Sequence, residues 1–210
     1  MGYRAFVSMN IAVIGTGLTV ETFVTSYALA GHEVFLAWKN GDNTGVSPFL
    51  YTLDNVHICS IEEAAEVADM IIIATPSEHV REVSYWLGDV RNKIIIDATA
   101  NLDTVGSRIN SAAAIKAITG SGNIVKVFST RGYETMLQPL FKDENVRLVL
   151  AGSSRKAKEA VKILTRDLNV HLFFDMGGDD AIPLLNEMVW AWQNLFARHI
   201  STKKELPVKR

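Results

Sequence analysis

The residues best placed for chemistry are Ile11-Ala12-Val13-Ile14-Gly15-Thr16-Gly17, an apolar run that leads straight into Gly-x-Gly. Glycines at that spacing let the backbone approach a diphosphate. A helix starting just after them offers free N–H groups and the positive end of its dipole to the same anion. The flanking segments meet that requirement. Leu18 to Ala30 is helix-like, Gly31-His32 ends it, and Glu33 to Trp38 is a second apolar run, giving the order strand, glycine turn, helix, strand. A bare Gly-x-Gly says little; inside a β-α-β unit it points to a dinucleotide site. The third glycine of the full Gly-x-Gly-x-x-Gly pattern is replaced by Val20. A small residue there normally lets helix and strand pack closely. Val20 is therefore expected to push the helix away or alter its tilt, and a Rossmann-like fold that has lost its ligand is the alternative.

The second strand says which nucleotide to expect. An acidic residue near its end would hold the ribose 2′-hydroxyl of NAD. Here the strand ends Phe35-Leu36-Ala37-Trp38-Lys39-Asn40, without a carboxylate. Lys39 offers a cation to a 2′-phosphate and Asn40 offers hydrogen bonds, so NADP(H) is expected over NAD(H). Trp38 either covers the adenine or closes the sheet edge as a core residue. In an open α/β sheet the ligand lies outside the carboxyl ends of the strands. That brings in Ala74-Thr75-Pro76 and Ala98-Thr99-Ala100-Asn101, where Thr75, Thr99 and Asn101 carry hydroxyl or amide groups, although ordinary turn chemistry explains the same residues.

Several elements must position these residues. Strands are expected at Val56–Cys59, Asp69–Ala74, Lys93–Ala98, Ile124–Phe128, Arg147–Ala151 and Val170–Phe174. Helices are expected from Ser60, which opens a capping box with Glu63, through Val67, and then over Ser77–Leu87, Val105–Ile118 and Glu134–Phe141. A further helix starts at Ser153 or Ser154 and runs through Leu168, and a last one is capped by Asp179 or Asp180 and runs to about residue 200. Continuous apolar strands alternating with helices mean a mostly parallel sheet covered on both faces. The expected fold is α/β, a Rossmann-type doubly wound sheet over residues 1–176, with a short helical extension and basic tail over 177–210. The last helix carries Ile182, Leu185, Val189, Trp192, Leu195 and Phe196 as an apolar stripe. That stripe either packs on the chain's own sheet or forms a dimer contact.

Composition excludes several functions. A net charge of −2 argues against a nucleic-acid or anionic-membrane partner, and 48% hydrophobic residues suffice for a sizeable core. Cys59 is the single cysteine, so an internal disulfide is impossible and a cytoplasmic location is the expectation. No metal-ligand spacing, P-loop or Gly-x-Ser-x-Gly elbow is present. His79, just past the fourth strand, is the one candidate general acid, against its reading as a solvated residue at a helix start; His32, His57, His171 and His199 show no partner in the sequence. Arg131 either faces an anionic acceptor or sits in a surface turn, and Asp97 reads as structural.

With these segments in view, the chain resembles the NADP oxidoreductases that depend on coenzyme F-420, a deazaflavin, and is similar to the cytosolic domain of the six-transmembrane metalloreductases. The resemblance rests on IAVIGTG, GHEVFLAWKN, DMIIIATP, NKIIIDAT, VKVFSTRGYETM, LVLAGSSRKAKEAVKILTRDL and FFDMGG, in that order over roughly residues 10 to 200. It implies that Gly15, Thr16, Gly17 and Leu18 bind the pyrophosphate and that Trp38, Lys39 and Asn40 meet the 2′-phosphate. The family's asparagine-proline after strand five is replaced by Ala100-Asn101, and its phenylalanine-asparagine-threonine after strand six by Phe128-Ser129-Thr130. These departures put the acceptor in question more than the nucleotide.

The expected activity is hydride transfer between NADP(H) and a flavin-like second substrate, deazaflavin or flavin, near Thr75, Ser129, Thr130, Arg131 and Met176. Such a transfer needs orientation more than a protein acid or base. An NADPH-dependent reductase of a small carbonyl or imine, and a non-enzymatic NADP(H)-binding redox sensor, are the alternatives. The short segment after Gly178 cannot close the pocket alone, so a homodimer is expected.

Overall fold

The computed structural model describes residues 8–38, 46–99, 110–129, 147–168 and 170–191. Lys39, Asn40, Asn101, Thr130 and Arg131, the helix expected over Glu134–Phe141 and the residues beyond 191 lie outside them.

Eight strands form one sheet in the order β3-β2-β1-β4-β5-β6-β7-β8. They are β1 (Asn10–Ile14), β2 (Glu33–Ala37), β3 (Val56–Ile58), β4 (Met70–Ile73), β5 (Ile94–Asp97), β6 (Ile124–Ser129), β7 (Arg147–Ala151) and β8 (Leu172–Asp175). The first six run parallel; β7 runs antiparallel to β6, and β8 is parallel to β7. This is the mostly parallel, doubly wound sheet expected from the sequence.

Strand residues divide by parity, as the two-residue period of a strand requires. Ile11, Val13, Ile72, Ile96, Val125 and Val127 share one core with α1 (Leu18–Leu29) and α5 (Arg155–Leu164). Ala12, Ile14, Ile71, Ile73 and Ile95 share the other with α2 (Ile61–Val67), α3 (Val80–Trp86) and α4 (Ser111–Thr119). Both faces are buried, which explains why strands such as MIII and IIID carry no polar alternation until their last residue.

The helix starts follow local chemistry. Ser60 and Glu63 form the expected capping box, with Glu63 N–H to Ser60 Oγ at 3.1 Å and Ser60 N–H to the Glu63 carboxylate at 2.9 Å. Ser154, not Ser153, caps α5 by accepting the Ala157 N–H. The last helix starts differently from the sequence expectation. Gly178 precedes a 3-10 turn at Asp179–Ala181, and α6 follows over 182–191. Asp179 does not cap it, because its carboxylate accepts the Ser153 N–H at 2.7 Å and pairs with Lys116 at 2.8 Å. Ile182, Leu185 and Val189 are buried with Val149 and Ala151, so the described part of the apolar stripe packs on the chain's own sheet.

Candidate functional site

The glycine turn sits at the carboxyl edge of the parallel strands, between β1 and α1. Gly15 has φ 141°, and a Cβ there would lie 2.5 Å from the Ala74 carbonyl oxygen and 3.1 Å from Val20 Cγ2. Its N–H donates to the Ala37 carbonyl at 2.9 Å. Gly15 therefore lets β1, β2 and β4 converge under the turn, and no side chain fits. Gly17 is different. At φ 91° and ψ −177° it holds a conformation essentially confined to glycine, yet nothing lies within 4 Å of the place its Cβ would take. It is the N-cap of α1 and no side chain caps the helix. The first-turn N–H groups thus open onto space cleared by a missing side chain, the arrangement that receives a diphosphate. Thr16 and Leu18 beside them are exposed.

Val20 is 2% exposed and packs into the α1 core. Its Cγ2 fills the slot over Gly15, so the position of the third glycine is occupied by core packing that points away from the open side of the turn.

Three polar atoms around the same sheet edge are buried without a hydrogen-bond partner: Trp38 Nε1 just after β2, and Thr75 Oγ1 and Ser77 Oγ just after β4. Each such orphan costs about 1–3 kcal/mol, and native proteins keep few of them. Their clustering where a nucleotide would lie, beside a cradle a Cβ would fill, fits a bound dinucleotide that supplies the missing partners. Trp38 is half-buried against the α1 core, which is the packed sheet-edge role among the two expected of it, and its Nε1 has no protein partner. Ala74 and Pro76 flank Thr75 and are half-buried.

The end of β5 is closed instead. Asp97 and Lys126, partners in the β5–β6 register, are 0% and 2% exposed at the side chain. Lys126 Nζ donates to Asp97 Oδ1 at 3.0 Å, to the Thr99 carbonyl at 2.8 Å, to Thr99 Oγ1 at 2.9 Å and to Ser111 Oγ at 3.2 Å. Asp97 also accepts the Thr99 N–H and hydroxyl and the Ser111 hydroxyl. The Thr99 hydroxyl, expected to meet the cofactor, is thus engaged inside the protein. Sequence reasoning overlooked Lys126. The available signal was a charge in the middle of the apolar strand IVKVFS, level with the only charge in IIID.

Ser129 is buried at the carboxyl end of β6, on the nucleotide edge. Met176, expected beside it, lies at the opposite edge. Because β7 reverses direction, β8 ends level with the start of β6; the Gly152 N–H bonds the Gly177 carbonyl, and a Cβ on Gly152 would meet the Ile124 carbonyl at 2.7 Å. Met176 therefore cannot share a pocket with Ser129. His79 is exposed in the 3-10 turn Ser77–His79. His32 and His57, without partners in the sequence, face Asp167 at 3.2 Å and Glu33 at 2.7 Å. Met9 N–H donates to His32 Nδ1, which places the proton on Nε2, toward Asp167. No group of acidic, histidine or cysteine side chains among the described residues could hold a metal.

Comparison with known proteins agrees with this geometry. Residues 10–101, from β1 through the end of β5, match the family NADP oxidoreductase, coenzyme F420-dependent. Among solved structures, a protein from Arthrobacter sp. FB24 proposed to be an F420-dependent NADP-reductase superposes with a TM-score of 0.71 at 20% identity, covering 91% of this chain and 94% of that one. An imine reductase from Pseudomonas sp. gives 0.66 at 14% identity, covering 94% of this chain and 64% of that one. A reductive aminase from Aspergillus terreus, solved with NADPH and ethyl-5-oxohexanoate, gives 0.66 at 13% identity, with 92% and 64% covered. These structures share the fold. This chain spans about two thirds of the length of the two reductases named last. Among the described residues no helix is long and apolar enough to cross a membrane.

Proposed function

We propose that this NADP-dependent oxidoreductase passes a hydride between nicotinamide and a flavin-like ring, deazaflavin or flavin. The observation that carries the reading is the open Gly17 turn with three unpartnered buried polar atoms arranged along the same sheet edge. The chain's own part in the reaction is to bind and orient. The diphosphate rests on the first-turn N–H groups of α1. Trp38 borders the adenosine side, toward β2, and Lys39 and Asn40 follow it in sequence to meet the 2′-phosphate. Thr75 and Ser77 offer hydroxyls from the β4 side. The nicotinamide half then runs toward β5, past Ala98 to Asn101, with Ser129, Thr130 and Arg131 after β6 as the residues assigned to the acceptor end. Bound NADPH supplies the hydride. The acid and base at the end of β5, Asp97 and Lys126, are bonded to each other and to Thr99 and Ser111, which suits ring-to-ring transfer, where orientation matters more than proton transfer, better than reduction of a carbonyl.

A reductase of small imines or carbonyls is the second reading, favoured by the likeness to imine reductases and reductive aminases. We also propose a homodimer. Leu184 and Met188, on the side of α6 away from its buried stripe, are 59% and 42% exposed; a monomer in sedimentation at micromolar concentration would remove that proposal.

The test is a titration with NADPH and NADH followed by tryptophan fluorescence, then turnover of deazaflavin, flavins and cyclic imines. NADPH-selective binding with deazaflavin or flavin turnover is expected. Turnover of imines alone would transfer the assignment to the second reading, and binding of neither nucleotide would end both.

A further inference from the structure

The buried Asp97–Lys126 pair is too costly to be incidental. Taking two charges out of water carries a large penalty, and apolar residues of similar volume would often serve stability as well or better. The pair also sits in a particular place. Asp97 is the last residue of β5, the strand end that faces the nicotinamide half in the reading proposed above, on which this inference rests.

The network is directed at the protein itself. A lysine has three N–H donors, and Lys126 has four acceptors within reach. Both carboxylate oxygens of Asp97 are occupied. What the pair does hold is backbone. Lys126 takes the Thr99 carbonyl and Asp97 takes the Thr99 N–H, so the chain is gripped through both polar groups of the residue where it leaves β5. Ser111, the first residue of α4, is fastened to the same two side chains. A neutral hydrogen-bonded pair could span the same gap, but charged hydrogen bonds are roughly twice as strong.

We propose that Asp97 and Lys126 are positioning residues for the nicotinamide half of the dinucleotide, acting through the backbone of Ala98 and Thr99, while the adenosine half is set independently by β1, β2 and β4. Two variants test this: Ser111→Ala, which leaves the ion pair in place, and the double substitution Asp97→Leu with Lys126→Met, which removes both charges without leaving one unpaired. Each is titrated with NADPH and with 2′-phospho-ADP-ribose, which lacks nicotinamide, and its thermal midpoint is recorded. The expected result is a loss of NADPH affinity of about tenfold in the double variant and a smaller loss in Ser111→Ala, with less than about twofold change for 2′-phospho-ADP-ribose in either. Equal losses for both ligands, or unchanged affinity for both, would mean that the network serves folding alone and overturn the inference. If the wild-type protein binds neither ligand, the nucleotide reading itself falls, and this inference with it.

Discussion

Gly15 and Gly17 stand two residues apart in one motif, but substituting each with alanine should break different things. At Gly15 a methyl group would sit 2.5 Å from the Ala74 carbonyl oxygen, where ordinary contact is 3.4–4 Å. The obstacle is backbone at the end of β4, held by the Ala74 N–H to Ile14 carbonyl bond at 2.9 Å, and cannot rotate away as a side chain would. Backbone strain at positive φ costs of order 1–3 kcal/mol, and forcing a group into a packed region about 1–3 kcal/mol more. Gly15→Ala should therefore lose roughly 2–6 kcal/mol, and for a chain of this size that is a fall of roughly 4–24 °C in thermal midpoint. At Gly17 only the strain term applies, roughly 1–3 kcal/mol, since the methyl group meets nothing within 4 Å. It projects instead into the open space assigned above to the diphosphate. Gly17→Ala should thus stay folded, with NADPH affinity reduced about tenfold or more, worth ~1.4 kcal/mol per factor of ten. Differential scanning calorimetry and fluorescence titration on both variants decide the matter. If Gly17→Ala proves the more destabilised of the two, or binds NADPH as the wild type does, the division between a structural and a ligand-facing glycine is wrong.

Thr75→Val removes a buried hydroxyl with no protein partner; the ligand-free protein should be unchanged or about 1 kcal/mol more stable in urea unfolding, while NADPH binds more weakly. A marked loss of ligand-free stability would show that the hydroxyl has a partner after all. Val20→Ala should cost about 2 kcal/mol by opening the α1 core and leave NADPH affinity intact; tighter binding would mean that Val20 does obstruct the site. The Lys116 ammonium beside Asp179, with the Ser153 N–H and hydroxyl, holds the Asp179 carboxyl below its usual range. A carboxylate with a lowered folded pKa contributes stability that is present above its unfolded pKa, about 3.9, and is lost as pH falls through the folded value. Lys116→Ala should therefore cost about 0.5 kcal/mol near neutral pH, a small figure because the pair is largely exposed. The difference from wild type should fade as pH falls through that lowered folded value; a difference that persists in strong acid would assign it to packing.

Much of the site was legible in the sequence because it is made of backbone. A strand, two glycines and a helix start determine one another locally: the glycines are needed wherever the chain must turn sharply and leave room for an anion, and no distant contact is required to see it. The buried strands announced themselves by their unbroken apolar runs, and Ser60 with Glu63 announced a helix start by a spacing that only a helix turn satisfies. Met176 shows where this stops. Nothing in Phe173-Phe174-Asp175-Met176 reveals that β7 turns back against β6, because the direction of a strand is set by where its partner lies and by the connection between them, not by its own residues. That one reversal carries Met176 to the far edge. Lys126 and Asp97 are a second case. Each was visible as a charge in an apolar strand, but only the register of β5 against β6 brings them face to face and tells a costly isolated charge from a satisfied network. Sequence by itself determined the glycine turn and the class of fold, which depend on interactions a few residues apart. The tertiary structure decided which polar atoms are left open to a ligand and which are closed off, since satisfaction of a buried group depends on residues far away in the chain.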